Sequence, residues 1–324
     1  MHALELPLIR AVQRIEGLGR IMSWISDFGP GKPMLIVIGL AFFLFDVRFA
    51  FRLAVVTLVC LSLRELLAML LQSPRPYWFG EGVKTFKDPP LSTPTFGFPS
   101  GHAMASATFW FFVAGEVGRR WMWGLAASIV LAVCVSRVYL GVHFPSDVIL
   151  GVLLGSLFLV AFRRWEGRVE RHWVGLTRER RIVWALGFGL GLGALTLAAW
   201  VGVSAAVPPG AWHPYGITAR SGEGLAWSAG SLCGVALAWV APEVWTGARD
   251  PWSVRSKRLA VIAIPAAIYL LLPKEWRAGL SLPGDSEWLK LSLRFGTGAF
   301  LAWAGLSLMP RALARIGRVD RKAM

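Results

Sequence analysis

Charge is what this sequence has least of. Only 16% of its 324 residues are charged, and 19 are acidic. A soluble domain carries about 25% charged residues. The shortfall excludes an ordinary soluble globular chain. Together with 55% hydrophobic content and 17 Trp, it points to a polytopic membrane protein. Because acidic residues are so few, the net charge is +15. In a soluble protein that balance would suggest nucleic acid. In a membrane protein it reflects Lys and Arg gathered in cytoplasmic loops, and no nucleic-acid partner is expected. Cysteine is scarce as well. Cys60, Cys134 and Cys233 lie in apolar runs without zinc or redox spacing, so buried inert thiols are expected. The long apolar runs do not alternate with polar residues, which excludes a barrel and leaves helices. No carboxylate cluster suited to a metal accompanies the polar residues described below. Neither a metal nor a cofactor is expected.

Present instead are nine apolar runs, at roughly 33–47, 50–72, 101–118, 122–141, 146–163, 182–203, 225–245, 258–273 and 291–310. A helix crosses a bilayer in about 20 residues, so the shorter runs need tilt or local thinning. The expected fold is all-α, a membrane bundle of about nine helices. Before it, residues 1–30 form an amphipathic segment. Ile9, Val12, Ile15, Leu18, Met22 and Ile25 recur at helical spacing, with Arg10, Arg14 and Arg20 between them. That pattern predicts a helix lying in the membrane interface. A five-span front at 31–164 is followed by a basic loop at 165–181, a four-span rear at 182–310 and a basic tail at 311–324. Of the 34 Lys and Arg, 20 fall in one set of loops and 11 in the other. The richer set, which includes the tail, is read as cytoplasmic. The N-terminus and the loop starting at Ser73 then face outward. The composition fits the inner membrane of a bacterium.

Polar residues gather at one level of the front half. Arg75-Pro76 follows the second run. Phe98-Pro99-Ser100-Gly101-His102 opens the third. Ser136-Arg137 and His143-Phe144-Pro145-Ser146-Asp147 bracket the junction of the fourth and fifth. By the span count all three segments share the outward face. Two Arg forks suit a phosphate or carboxylate. A Ser-Gly turn at a helix start offers free N–H groups to an anion. His143 and Asp147 are four apart, so a helix starting near Phe144 lets the carboxylate fix the imidazole tautomer. The other ring nitrogen is then a nucleophile or base, and His102 serves as acid for a leaving oxygen. An activated imidazole, an anion clamp and a proton donor are what phosphoryl transfer through a phosphohistidine needs.

These residues resemble the three-part signature of the type 2 phosphatidic acid phosphatase superfamily: Arg75-Pro76, the tetrad Pro99 to His102, and Ser136-Arg137 with five residues to His143 and three more to Asp147. The resemblance covers about residues 64–150. It implies His143 as nucleophile, Asp147 as its partner and His102 as general acid. It also implies Arg75, Ser100, Gly101 and Arg137 as phosphate ligands. The segments RPYWF, PSGHAM and SRVYLGVHFP are similar to the glucose-6-phosphatase branch, which likewise has nine spans with an outward N-terminus. One position departs from the pattern. The family's first part begins with a Lys seven residues before the Arg, and here that position is Ala68. Arg64 lies one turn earlier, on nearly the same helical face as Arg75, and is expected to lean toward the site and partly replace that Lys. Lys84 and Lys87 are other candidates, and pairing of Arg64 with Glu65 is the competing expectation.

The expected substrate is a membrane lipid phosphate or pyrophosphate whose tail stays in the bilayer: undecaprenyl pyrophosphate or phosphate, phosphatidic acid, phosphatidylglycerol phosphate or a sphingoid-base phosphate. Tyr77, Trp78 and Phe79 are expected at the membrane interface. The alternatives are a phosphotransferase using the same intermediate, a glucose-6-phosphatase-like enzyme, and a non-enzymatic lipid-binding or transport protein. In the rear half Arg294 lies inside the ninth run and His213 has no motif around it. That half is open to three roles: a path for lipid, a homo-oligomer contact, or simple support.

Overall fold

The computed structural model of the chain describes residues 2–27, 29, 34, 36–38, 40–41, 47–79, 82–86, 95–204 and 223–240. Among them every regular element is a helix. Two short helices, α1 (His2–Val12) and α2 (Gly19–Asp27), precede α3 (Val47–Leu71). A 3-10 turn at Pro76–Phe79 follows. Then come α4 (Gly101–Val117), α5 (Arg120–Tyr139), α6 (Pro145–Gly175), α7 (Arg178–Ser204) and α8 (Glu223–Trp239). The expected runs at 258–273 and 291–310, with Lys87, His213, Arg294 and the basic tail, lie outside the described residues.

Among the described residues four stretches are long and apolar enough to cross a membrane: Arg48–Phe79, Arg120–Tyr139, Pro145–Gly175 and Arg178–Gly202. Their outward faces carry large apolar side chains, such as Leu131 and Val160, each about two-thirds exposed. In water such a surface would be a liability; against lipid tails it is the favoured one. This is an integral membrane protein. By the density of its internal contacts the chain divides into two compact units. The first comprises residues 1–35, 56–175 and 194–225, and the second the remainder. Every residue of the signature lies in the first unit.

Within that unit α4 packs against α5 and α6. Gly151 and Gly155, four apart on α6, allow the close approach. A Cβ at Gly151 would stand 3.0 Å from the Ser100 carbonyl oxygen, and one at Gly155 would collide with the Met104 carbonyl. Small residues at i and i+4 bring helix backbones together where lipid supplies no hydrophobic drive. Thr108 Oγ1 donates to the Gly155 carbonyl at 3.1 Å and fixes the register.

The N-terminal segment differs from the single amphipathic helix expected. It breaks between Val12 and Gly19, and Gly17 takes a left-handed φ of 83° at the break. The Gln13 side chain acts there as a strand-like pairing partner. Its Nε2 donates to the Lys84 carbonyl at 2.7 Å and the Tyr139 carbonyl at 2.8 Å, and its Oε1 accepts from the Lys84 N–H at 3.0 Å. Glu5 caps α6, accepting from the Ser146 N–H at 2.9 Å and from its hydroxyl at 3.0 Å. Leu6 and Ile9 are buried with Phe144. Leu4, Leu8, Ile21 and Trp24 are exposed. At the other end α6 continues through Gly175, across much of the stretch expected as a basic loop. Its Arg and Glu residues are good helix formers, and no Pro interrupts them.

Candidate active site

Local sequence builds the site. Pro145 is the first residue of α6, where its fixed φ and missing N–H cost nothing. Asp147 then falls on the first turn, and its Oδ2 reaches back to accept from the Phe144 N–H at 2.9 Å. This is half of a capping box. The same oxygen lies 3.5 Å from His143 Nδ1, with both side chains buried. The cap therefore turns the carboxylate toward the imidazole. Gly141, with φ of 70°, makes the turn out of α5 that delivers His143. A Cβ there would meet the Lys84 carbonyl at 2.6 Å.

On the far side of the ring, Arg75 Nη1 lies 3.4 Å from His143 Nε2. Arg75 is a buried hub. Its Nη1 also donates to the Val142 carbonyl at 3.1 Å, its Nε to the Thr95 carbonyl at 2.8 Å, and its Nη2 to Thr95 Oγ1 at 3.0 Å and the Phe96 carbonyl at 3.3 Å. It thus ties residues 95–96 to the loop that carries His143.

Ser100 is the N-cap of α4, and its Oγ accepts from the Ala103 N–H at 3.4 Å. Its own N–H donates to the Asp147 carbonyl at 3.1 Å. This bond joins the second signature segment to the third. His102, half-buried, sits on the first turn of the same helix. Its charge bears on His143, whose pKa is held well below the usual 6.5. Burial is the main cause; Arg75, Arg137, Arg64 and His102 add to it. The imidazole is therefore kept neutral with a lone pair to offer.

Arg64 lies against the turn that opens α4. Its Nε donates to the Pro99 carbonyl at 3.2 Å and its Nη2 to the Phe96 carbonyl at 2.9 Å. Its Nη1 pairs with Glu65 at 2.6 Å. A Cβ at Gly101 would stand 3.0 Å from Arg64 Nε, so the glycine leaves room for the guanidinium. Ala68 is buried in an apolar cluster with Met69, Tyr77, Trp78, Phe96, Leu140, Val142 and Leu225. Tyr77 and Trp78 belong to that core, with Trp78 packed on Phe96 at 5.9 Å between ring centroids. The structure thus buries two of the three aromatics expected at the membrane interface. Lys84 is exposed, and its nearest acidic partner is Glu16, at 3.8 Å.

Arg137, at the end of α5, is buried. Its Nη1 donates to Ser26 Oγ on α2 at 2.7 Å, while its Nε has no hydrogen-bond partner among the described residues. Among the described residues no group of three His, Cys, Asp or Glu is placed to hold a metal ion.

Residues 49–171 match the PAP2 superfamily. The chain is 30% identical over 149 residues to the undecaprenyl-diphosphatase of Sulfolobus acidocaldarius, covering 44% of this chain and 68% of that one. The chain belongs to the PAP2 superfamily. Two further relatives match part of the chain. Phosphatidylglycerophosphatase B of Bacillus subtilis is 26% identical over 166 residues, covering 48% of this chain and 78% of that protein. Glucose-6-phosphatase catalytic subunit 1 of Haplochromis nubilus is 31% identical over 157 residues, covering 38% of this chain and 45% of that protein. The chain thus spans less than half the length of that glucose-6-phosphatase. The PAP2 match covers all three signature segments but not residues 1–48. Sequence reasoning likewise overlooked Ser26 and Gly29, which meet Arg137 and His102, and Gly97, whose absent Cβ leaves room for Pro74 and Asp147.

Proposed function

We propose that this protein is an integral membrane phosphatase that removes phosphate from a lipid phosphate or pyrophosphate at the outward face, through a phosphohistidine on His143. One observation carries the reading. The His143 ring lies between a carboxylate oxygen 3.5 Å from Nδ1 and a guanidinium nitrogen 3.4 Å from Nε2. Asp147 selects the tautomer with the proton on Nδ1. That leaves the Nε2 lone pair to attack phosphorus, and Arg75 stands where the phosphoryl oxygens arrive.

In the first step the Nε2–P bond forms as the bond from phosphorus to the leaving oxygen breaks. His102 gives that oxygen its proton. The negative charge on the phosphoryl oxygens is met by Arg75, Arg137 and the N-terminal amides of α4, with Ser100 Oγ–H as a further donor. In the second step His102 takes a proton from water, the water oxygen bonds phosphorus, and the N–P bond breaks to release inorganic phosphate. Gly101 keeps the α4 N-terminus open to the anion. Arg64 acts through the turn that it braces, not as a replica of the family Lys. The excess of Lys and Arg in the opposite loops supports an outward site.

The matches to glucose-6-phosphatases favour a second reading, in which the same chemistry serves a soluble phosphomonoester such as a hexose phosphate. Detergent-purified protein offered undecaprenyl pyrophosphate, phosphatidylglycerol phosphate, phosphatidic acid and glucose 6-phosphate, with and without EDTA, separates the two. Phosphate release from a lipid, retained in EDTA and lost in His143→Ala, is the expected result. Release from glucose 6-phosphate alone would favour the second reading. No release from any of them would contradict both.

A further inference from the structure

We propose that the end of α2, at Ser26 and Gly29, is a fourth element of the active site, positioning Arg137 and the ring of His102 for the reaction proposed above. None of the three signature segments includes it. Three observations place it there. Ser26 Oγ is buried and accepts from Arg137 Nη1 at 2.7 Å, the shortest hydrogen bond that this guanidinium makes among the described residues. A hydrogen bond of this kind, with a charged donor, is among the stronger ones. The Arg137 Nε–H is buried and has no hydrogen-bond partner among the described residues. The guanidinium is therefore oriented through one nitrogen while another keeps a donor in reserve for an anion. Third, Gly29 lies flat against His102. A Cβ added there would come 2.7 Å from His102 Cδ2 and 3.3 Å from its Cβ. The Gly29 N–H donates to the Ser26 carbonyl at 3.0 Å, which closes the turn and links the two contacts.

The turn is not a passing contact of a loose terminus. The segment that bears it is fixed at three other points: Glu5 on the start of α6, Gln13 on Lys84 and Tyr139, and the Tyr139 hydroxyl on the Ile15 carbonyl at 2.6 Å. α2 packs along α5, the helix that ends in Arg137. Ser26 and Gly29 are positioning residues: neither holds the phosphoryl group, and each sets the aim of a group that does.

The two contacts predict different kinetic faults, which a merely structural role would not produce. Loss of the Ser26 hydroxyl frees Arg137 and weakens binding of the phosphoryl group whatever the leaving group. Displacement of His102 slows the first step only where the leaving oxygen needs a proton, and slows hydrolysis of the phosphohistidine equally for every ester. The experiment compares p-nitrophenyl phosphate, whose leaving group departs without one, with phenyl phosphate, whose leaving group needs it. Orthovanadate serves as a binding probe, read by thermal shift. For Ser26→Ala, kcat/KM falls about tenfold on both substrates and orthovanadate binds more weakly, with recovery in Ser26→Thr. For Gly29→Ala, kcat/KM, which reports the first step alone, falls at least about tenfold further on phenyl phosphate than on p-nitrophenyl phosphate.

Three results would overturn the inference. The first is a Ser26→Ala protein with wild-type kinetics and orthovanadate binding. The second is a Gly29→Ala protein, folded by its thermal transition, with equal losses of kcat/KM on the two substrates. The third is a wild type that neither turns over these esters nor binds orthovanadate, which would defeat the phosphatase reading and this inference with it. A wild type active on both esters, beside indifferent variants, would defeat this inference alone.

Discussion

At the scale of single residues the account turns on His143. It lies in the loop between α5 and α6, outside the spanning helices. Burial, and then Arg75, Arg137, Arg64 and His102, hold its pKa well below 6.5. A depressed value means that the folded protein binds a proton less readily than the unfolded chain. Two consequences share that sign. The Nε2 lone pair stays available below pH 6.5, so the acid limb of kcat/KM on p-nitrophenyl phosphate is expected below that pH. Stability is complete above the unfolded value and is lost as pH falls from there toward the folded one. A pH–rate profile checks the first; an acid limb centred above 6.5 would contradict it. Arg64 makes a second residue-scale prediction. Its loss strips donors from the Pro99 and Phe96 carbonyls and leaves Glu65 without its guanidinium. Breaking a fully buried pair costs about 3–5 kcal/mol, and this one, with Glu65 partly exposed, costs less. Arg64→Ala is expected to lower both the thermal transition and kcat/KM, while Arg64→Lys recovers part of each. The pairing of His143 with Asp147 was legible in the sequence, because Pro145 fixes where α6 starts and the spacing does the rest. The contact of Ser26 with Arg137 was not, since 111 residues separate the partners and no local pattern joins them. Ala68 shows a third case. Its identity was plain, but only the packing shows that an apolar cluster fills its surroundings.

At the scale of elements, the approach of α4 to α6 holds the tetrad and the third segment together. Gly155 faces the Met104 backbone, and backbone cannot step aside as a flexible side chain would. Gly155→Leu is expected to part the two helices. The N–H of Ser100 would then lose the Asp147 carbonyl, and the site would come apart at its seam. Thermal unfolding in detergent should show a fall of several degrees, as for other overpacked interiors, with activity lost before global unfolding. An unchanged transition with full activity would contradict the packing. The helix starts at Gly101 and Pro145 were readable from their caps. The end of α6 was not: apolar periodicity stops near residue 163, while helix-forming Arg and Glu residues carry the backbone on to Gly175. The break between α1 and α2 escaped notice because the apolar spacing continues through it. Gly17 and the backbone-like pairing of Gln13 override the pattern.

At the scale of the whole molecule, the scarcity of charge announced a membrane protein, and the exposed apolar faces of α5, α6 and α7 agree. The proposed orientation rests on the Lys and Arg balance and makes a direct prediction. Lys84 is exposed beside the site, and Arg171 is exposed near the far end of α6. A membrane-impermeant maleimide applied to intact cells is expected to label Lys84→Cys but not Arg171→Cys, with the latter labelled only after permeabilisation. The reverse pattern would turn the site to the cytoplasm. The central claim, a covalent phosphoryl group on His143, has the most direct test of all. Protein mixed briefly with a substrate labelled in its phosphoryl group is quenched in alkali, digested and mapped by mass spectrometry. The account predicts one labelled site, on Nε2 of His143, stable in alkali, labile in acid and absent from His143→Ala. Phosphate release without any labelled histidine, or label retained in His143→Ala, would contradict it.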